Sequence, residues 1–245
     1  MLQSNFTVKS NTALTDCVYK MVLSGDTSAI TAPGQFVNIQ LEGMFLRRPI
    51  SVCDYDESTL TLIYKVVGKG TEEMSKMVEG QKLDLLSGLG NGYDLSLSGD
   101  HPVLIGGGVG VPPMYHLAKK LLSQGKKVSV ILGFNTQAEI FYEDEFKALG
   151  CEVFVTTVDG SYGIKGFVTN ALENIPYTYF YTCGPEPMLK AVYRFSNTSG
   201  QMSFEKRMGC GFGACMGCSC KTITGYKRIC KEGPVMKKEE ILWEN

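Results

Sequence analysis

The sequence carries almost no surplus of charge: 24 Lys and Arg against 25 Asp and Glu leave a formal net charge of −1. Such a balance offers no electrostatic footprint for nucleic acid and no basic face for a membrane surface, so neither partner is expected. Long apolar runs are missing too. No window approaches the roughly 18 apolar residues of a membrane-spanning helix. Met1-Leu-Gln-Ser-Asn-Phe6 has no basic stretch leading into an apolar one, so no export signal is expected. Histidine is scarce, with only His101 and His116, and no carboxylate clamp stands beside a general base. Chemistry on a small organic substrate is therefore expected of another chain. Without export, nine cysteines imply a reducing cytoplasm, where thiols serve metals or packing.

What the sequence does have is concentrated near its end. Five of the nine cysteines fall between positions 210 and 230. Cys210, Cys215 and Cys218 are spaced Cys-x4-Cys-x2-Cys, and Cys230 follows. Plant-type ferredoxins hold a 2Fe–2S cluster with this opening spacing and a more distant fourth thiolate. Gly209, Gly211, Gly213 and Gly217 interleave the thiols. Lacking Cβ, they let the backbone approach inorganic sulfide and turn N–H groups toward sulfur. A four-thiolate zinc site needs the same ligand count but usually shows two Cys-x2-Cys knuckles, and only Cys215 and Cys218 form one. Disulfides and plain burial of thiols also stay open.

The rest of the chain divides by periodicity. Residues 1–98 read as β-rich. Val37, Ile39 and Leu41 alternate with polar neighbours, as do Leu60, Leu62, Tyr64 and Val66, and turns at Gly25, Pro33-Gly34 and Gly43 separate the runs. This pattern predicts an antiparallel barrel or sandwich, interrupted by a helix over Thr71–Val78 and closed by a strand at Lys82–Leu86. Residues 99–200 alternate short apolar strands with amphipathic helices, which predicts a parallel sheet covered on both faces. Residues 197–200 read as a polar turn into a cysteine module over 201–245.

Two turns of the α/β region carry candidate chemistry. Gly106-Gly107-Gly108-Val109-Gly110 joins a strand to a helix, where free N–H groups and the helix dipole can receive a pyrophosphate. The strict dinucleotide fingerprint fails at Val111, and the next strand ends Gly133-Phe134-Asn135 without an acid. The second turn, Cys183-Gly184-Pro185-Glu186-Pro187-Met188, lies at the same edge of the sheet. In the β region, Arg47-Arg48-Pro49-Ile50-Ser51 and Gly70-Thr71 are candidate anion contacts, or equally a solvated surface and a helix cap.

Taken together, these segments resemble the ferredoxin–NADP reductase superfamily, which orders a flavin barrel, a nicotinamide domain and sometimes an iron–sulfur module. Arg48-Pro-Ile-Ser51, Leu89-Gly-Asn-Gly92, Gly106–Gly110, Cys183–Met188 and Arg228-Ile-Cys-Lys-Glu-Gly-Pro-Val235 are similar to one branch of it. That branch is the electron-transfer subunits of B-type, NAD-dependent dihydroorotate dehydrogenases. The resemblance implies an FAD-binding barrel over 1–98, an NAD-binding α/β domain over 99–200 and a 2Fe–2S module over 201–245. It implies FAD contacts at Arg48, Pro49, Ile50, Ser51, Ile63, Tyr64, Lys65, Gly70 and Thr71. The implied NAD(H) contacts are Gly107, Gly108 and Gly110, with Cys183 near the reactive ring carbon. The cluster ligands would be Cys210, Cys215, Cys218 and Cys230, leaving Cys220 to packing. The implied partner is an FMN-containing catalytic subunit, two of each chain, oxidising dihydroorotate to orotate in pyrimidine biosynthesis. A related reductase subunit serving ferredoxin, a sulfur reductase or a hydrogenase is the rival. Phe134-Asn-Thr-Gln-Ala-Glu139 offers no cation for a 2′-phosphate and ends in an acid, which favours NADH over NADPH.

Overall fold

The computed structural model describes residues 1–243. The first 89 residues supply β1 (Leu2–Ala13), β2 (Val18–Ser24), β3 (Phe36–Ile39), β4 (Arg48–Tyr55), β5 (Thr59–Lys65), α1 (Lys69–Ser75) and β6 (Lys82–Leu89). The strands close an antiparallel barrel in the order β1-β2-β5-β4-β3-β6. Alternation drives the closure. Phe6, Met21, Leu23, Val37, Ile39, Leu60, Leu62 and Leu85 point inward and are fully buried, each contributing about 1.5–3 kcal/mol of apolar burial. The expected helix is present but starts and ends earlier, because Thr71 caps its own first turn. Its Oγ1 accepts from the Val67 and Gly68 N–H groups at 2.9 and 3.3 Å.

The second domain runs β7 (Pro102–Gly107), α2 (Pro112–Ser123), β8 (Ser129–Phe134), α3 (Glu143–Ala148), β9 (Glu152–Thr157), β10 (Ile164–Lys165), α4 (Val168–Leu172), β11 (Tyr179–Cys183), α5 (Glu186–Phe195) and β12 (Gly200–Ser203). After it come β13 (Ser219–Thr222), β14 (Gly225–Arg228) and β15 (Val235–Lys237). One sheet takes the order β10-β9-β8-β7-β11-β12-β15, parallel except for the antiparallel β12–β15 pair. The expected polar turn at 197–200 thus gives way to a strand that starts at Gly200. Gly200 carries no Cβ because one would lie 2.3 Å from the Phe180 ring. The division placed at residue 200 falls where the sheet continues: β12 and β15 come from the C-terminal segment, and the thiol loop projects between them.

One apolar core fills the space between the barrel, the sheet and α2 and α3. A second, under α4 and α5, runs on into Cys218, Ile229 and Cys230. The first is crossed by an ion pair. Asp54 on β4 meets His116 Nδ1 at 2.6 Å and Lys119 Nζ at 2.7 Å, both on α2, while the Tyr55 ring stacks on His116. His116 is thereby an interdomain packing group and His101 is exposed, in keeping with the bland reading of both. No helix among the described residues is long and apolar enough to cross a membrane.

Candidate cofactor sites

The thiol loop arranges its cysteines as two pairs. Cys218 Sγ lies 3.3 Å from Cys230 Sγ, and the Cys230 N–H points at Cys218 Sγ from 3.4 Å. Across the loop, Cys210 Sγ accepts from the Ala214 and Cys215 N–H groups at 3.2 and 3.4 Å, and Cys215 Sγ faces the Cys210 N–H at 3.5 Å. Burial raises the Cys210 thiol, but the surrounding amides of Phe212, Cys215 and Ala214 outweigh it and bring the thiol down to about 6. Burial, and then the neighbouring Cys218, push Cys230 up to about 12. Two buried sulfurs this close can both be thiolates only if a cation lies against them.

The glycines earn their positions here. A Cβ at Gly209 or Gly217 would stand 3.2 or 3.5 Å from Cys215 Sγ, and Gly211 and Gly213 hold φ of 76° and 93°. Arg228 closes the loop by donating to the Gly213 carbonyl and gripping Glu232, whose carboxyl it holds down at about 2. Among the described residues no three His, Cys, Asp or Glu side chains gather as a single-ion site requires. Two pairs, each able to grip one metal, fit a two-iron cluster better than one tetrahedral zinc. Cys220 sits half-buried on β13, against the second core.

Two barrel residues anchor this loop. Asn38 on β3, 1% exposed, donates from Nδ2 to the Cys210 carbonyl at 3.2 Å. Asn91, in the Leu89–Gly92 turn, donates to the Glu232 and Val235 carbonyls and accepts from the Val235 N–H. Arg47 is spent on structure, bonding Asp84 at 2.6 Å and the Asn38 carbonyl at 3.2 Å. The expected arginine fork for a phosphate therefore reduces to Arg48.

The barrel opens at one place. β4 and β5 pair from Val52–Leu62 to Tyr55–Leu60 only. Before that point Arg48–Ser51 pair with β3 alone, and past it Ile63, Tyr64 and Lys65 pair with β2 alone. The two strands fork, leaving facing backbone edges with unpaired donors and acceptors, which a planar polar ring can satisfy. The first turn of α1 stands beside the fork. A Cβ at Gly70 would lie 2.2 Å from Arg48 Nε, so this side chain passes directly over the turn. Tyr64 differs from its neighbours: its ring is buried in the barrel core and its hydroxyl donates to Asn11 at 3.0 Å, so only its backbone faces the fork.

A cavity of about 700 Å³ lies along the C-terminal edge of the parallel sheet. Gly107–Gly110, Gly133–Asn135, Thr156 and Gly184–Pro185 form its floor, and Cys17, Val18 and Lys65 of the barrel wall one side. Gly110 permits the floor to close, because a Cβ there would lie 2.2 Å from the Cys183 carbonyl oxygen. Cys183 itself is 1% exposed and does not line the cavity; burial pushes its thiol up to about 12. Its neighbour Gly184 lines the wall instead. Two acids line it: Glu139, the acidic end of the segment after β8, and Glu205 just past β12, whose carboxyl desolvation raises. No local pattern in the sequence marked Glu205.

A forked barrel, a nucleotide-type turn on a parallel sheet and a two-pair thiol loop define an electron-transfer module of the ferredoxin–NADP reductase type. The solved NADH-dependent reduced ferredoxin–NADP oxidoreductase matches 97% of this chain and 90% of its own at 30% identity, with a TM-score of 0.87. A ferredoxin NADP+ reductase from Neisseria gonorrhoeae, solved with FAD and NADP, shares the fold at a TM-score of 0.69 and 20% identity. Residues 205–242 match the iron–sulfur cluster binding domain of dihydroorotate dehydrogenase B, and residues 104–194 match an oxidoreductase NAD-binding domain. The dihydroorotate dehydrogenase B (NAD(+)) electron transfer subunit of Fusobacterium nucleatum subsp. nucleatum is 44% identical over 96% of both chains. That of Bacillus pumilus is 43% identical over 98% of both. The chain belongs to the family of dihydroorotate dehydrogenase B (NAD(+)) electron transfer subunits.

Proposed function

We propose that this chain carries electrons between NAD(H) and a separate FMN-containing subunit that converts dihydroorotate to orotate. The observation behind this reading is the division of the four thiols into two pairs on a loop tied to the barrel by Asn38. Cys210 and Cys215 would hold one iron of a 2Fe–2S cluster, and Cys218 and Cys230 the other. Nicotinamide exchanges two electrons as a hydride, a flavin accepts pairs and releases single electrons, and an iron–sulfur cluster passes one at a time.

The remaining roles belong to the chain's own residues. The fork edges Arg48–Ser51 and Ile63–Lys65 offer backbone groups to a flavin ring, Tyr64 by its backbone alone. Arg48 and the free amides of Gly70 and Thr71 offer charge and donors to the FAD pyrophosphate. Gly107, Gly108 and Gly110 leave room for the NAD(H) pyrophosphate at the start of α2. Cys183, buried behind Gly184, stays a neutral thiol beside the proposed nicotinamide position. Gly209 keeps the space at Cys215 open, since a Cβ there would stand 3.2 Å from its sulfur.

Phe212, Met216, Ile223 and Tyr226 expose 44%, 52%, 59% and 72% of their surface around the thiol loop. An apolar surface beside a one-electron relay suits a docked catalytic subunit, in a cytoplasmic assembly holding two of each chain. The purified protein is expected to contain iron, acid-labile sulfide and flavin, with visible bands that bleach on adding NADH. Zinc without sulfide or flavin would overturn the proposal.

A further inference from the structure

Strand β8 ends without an acid, yet the folded chain brings one back to that strand end. After Asn135 the backbone makes a single 3-10 turn over Gln137–Glu139, with the Glu139 N–H bonded to the Thr136 carbonyl. The turn returns Glu139 onto Asn135. Glu139 Oε2 accepts from the Asn135 backbone N–H at 3.1 Å and from Asn135 Nδ2 at 2.9 Å. The neighbouring loop buttresses the turn, since Ser161 Oγ receives the Gln137 N–H at 2.8 Å and the Asn135 carbonyl receives the Asp159 N–H. One carboxylate oxygen is thus fixed. The other, Oε1, accepts no hydrogen bond among the described residues, and Glu139 lines the cavity.

We infer that Glu139, clamped by Asn135, is the residue that selects NADH over NADPH by accepting the adenosine ribose 2′-hydroxyl. This inference rests on the cavity being the nucleotide site. A pyrophosphate over the β7 turn leaves one half of the dinucleotide above β11 and β12 and the other above β8 and β9. The proposed function puts the nicotinamide on the β11 side, where Gly184 and Glu205 line the cavity, so the adenosine belongs over β8. A carboxylate at the end of the second strand discriminates in two ways: it accepts a hydroxyl proton and repels a phosphate. Among the described residues the only basic side chain lining the cavity is Lys65, on β5 of the barrel. Thr156, near the end of β9, adds on the same side a buried hydroxyl with no hydrogen-bond partner among the described residues. Strand-to-acid spacing in the sequence misses this arrangement because the turn, not the strand, delivers the acid.

The test uses the assembled complex and two probes, ADP-ribose and 2′-phospho-ADP-ribose, titrated by calorimetry. The wild-type protein should prefer ADP-ribose. E139Q should weaken ADP-ribose by about tenfold, the scale of one charge-assisted hydrogen bond, and narrow the gap between the probes. In steady state the KM for NADH should rise, with kcat changed less than about twofold. Asn135→Ala, which frees the carboxylate without removing it, should give the same shift at smaller size. Visible flavin and cluster bands report whether each variant is folded. If both variants keep the wild-type preference, the inference fails while the nucleotide site stands. If ADP-ribose does not bind the wild-type protein, or does not compete with NADH, the nucleotide reading of the cavity fails first.

Discussion

The thiol loop takes its sulfurs from one contiguous stretch, Cys210 to Cys230, whereas the cavity at the sheet edge collects its walls from several strand ends, two turns and the barrel. Under the proposed function the first site depends on residue type, because its thiols are what would hold iron. The second depends on close approach, because its glycines matter for what they do not occupy. The two should therefore fail differently when the chain is changed.

The largest effect is expected at the cavity floor. A Cβ at Gly110 would collide with the Cys183 backbone, so Gly110→Ala must separate the β7 and β11 turns. A displacement of this kind should cost about a hundredfold in NADH use, read as kcat/KM, while iron and sulfide content stay at wild-type levels. Loss of the cluster in this variant would erase the distinction between the sites. A smaller effect is expected at Asn38. Asn38→Ala removes the donor to the Cys210 carbonyl and should destabilise the loop by about 1 kcal/mol, seen as faster cluster loss to a chelator. NADH affinity should be unchanged.

The smallest effect concerns Cys183. Its thiol is held at about 12, well above the ordinary 9.0, by burial. Folded and unfolded forms are both neutral below pH 9.0, so the thiol costs no stability there. As pH rises from there toward about 12 the unfolded thiol ionises first, and stability falls. Cys183→Ala should therefore flatten the decline of Tm above about pH 9. Between roughly pH 6 and 9 the pH profile of NADH oxidation should keep its shape, since a neutral thiol does not titrate there. An inflection in that range that disappears in the variant would make Cys183 an acid–base group.

The same contrast explains what could be read in the sequence. The gathering of Cys210, Cys215, Cys218 and Cys230 in one loop was legible because the thiols lie close in sequence with glycines between them. The barrel and the parallel sheet were legible because alternation and helical spacing report which faces are buried. The β4–β5 fork was not, because each strand looks regular until its pairing partners are known. Arg47 and Arg48 looked equivalent until Asp84 was seen to engage one of them. The acidic end at Glu139 was legible, but not the turn that folds it back onto Asn135, and Glu205 reaches the cavity past a strand end that no local pattern encodes. The junction near residue 200 was obscured because Gly200 sits under the Phe180 ring, a long-range contact, where the sequence shows only a small polar turn.

The central claim is that electrons pass between this chain and its partner through the two thiol pairs. Reconstituting the chain with the catalytic subunit, and comparing wild type with Cys215→Ser, tests it most directly. The variant should abolish NADH production from dihydroorotate and NAD+ while dihydroorotate still reduces the FMN of the catalytic subunit. Undiminished NADH production in a variant shown to lack iron and sulfide would contradict the account.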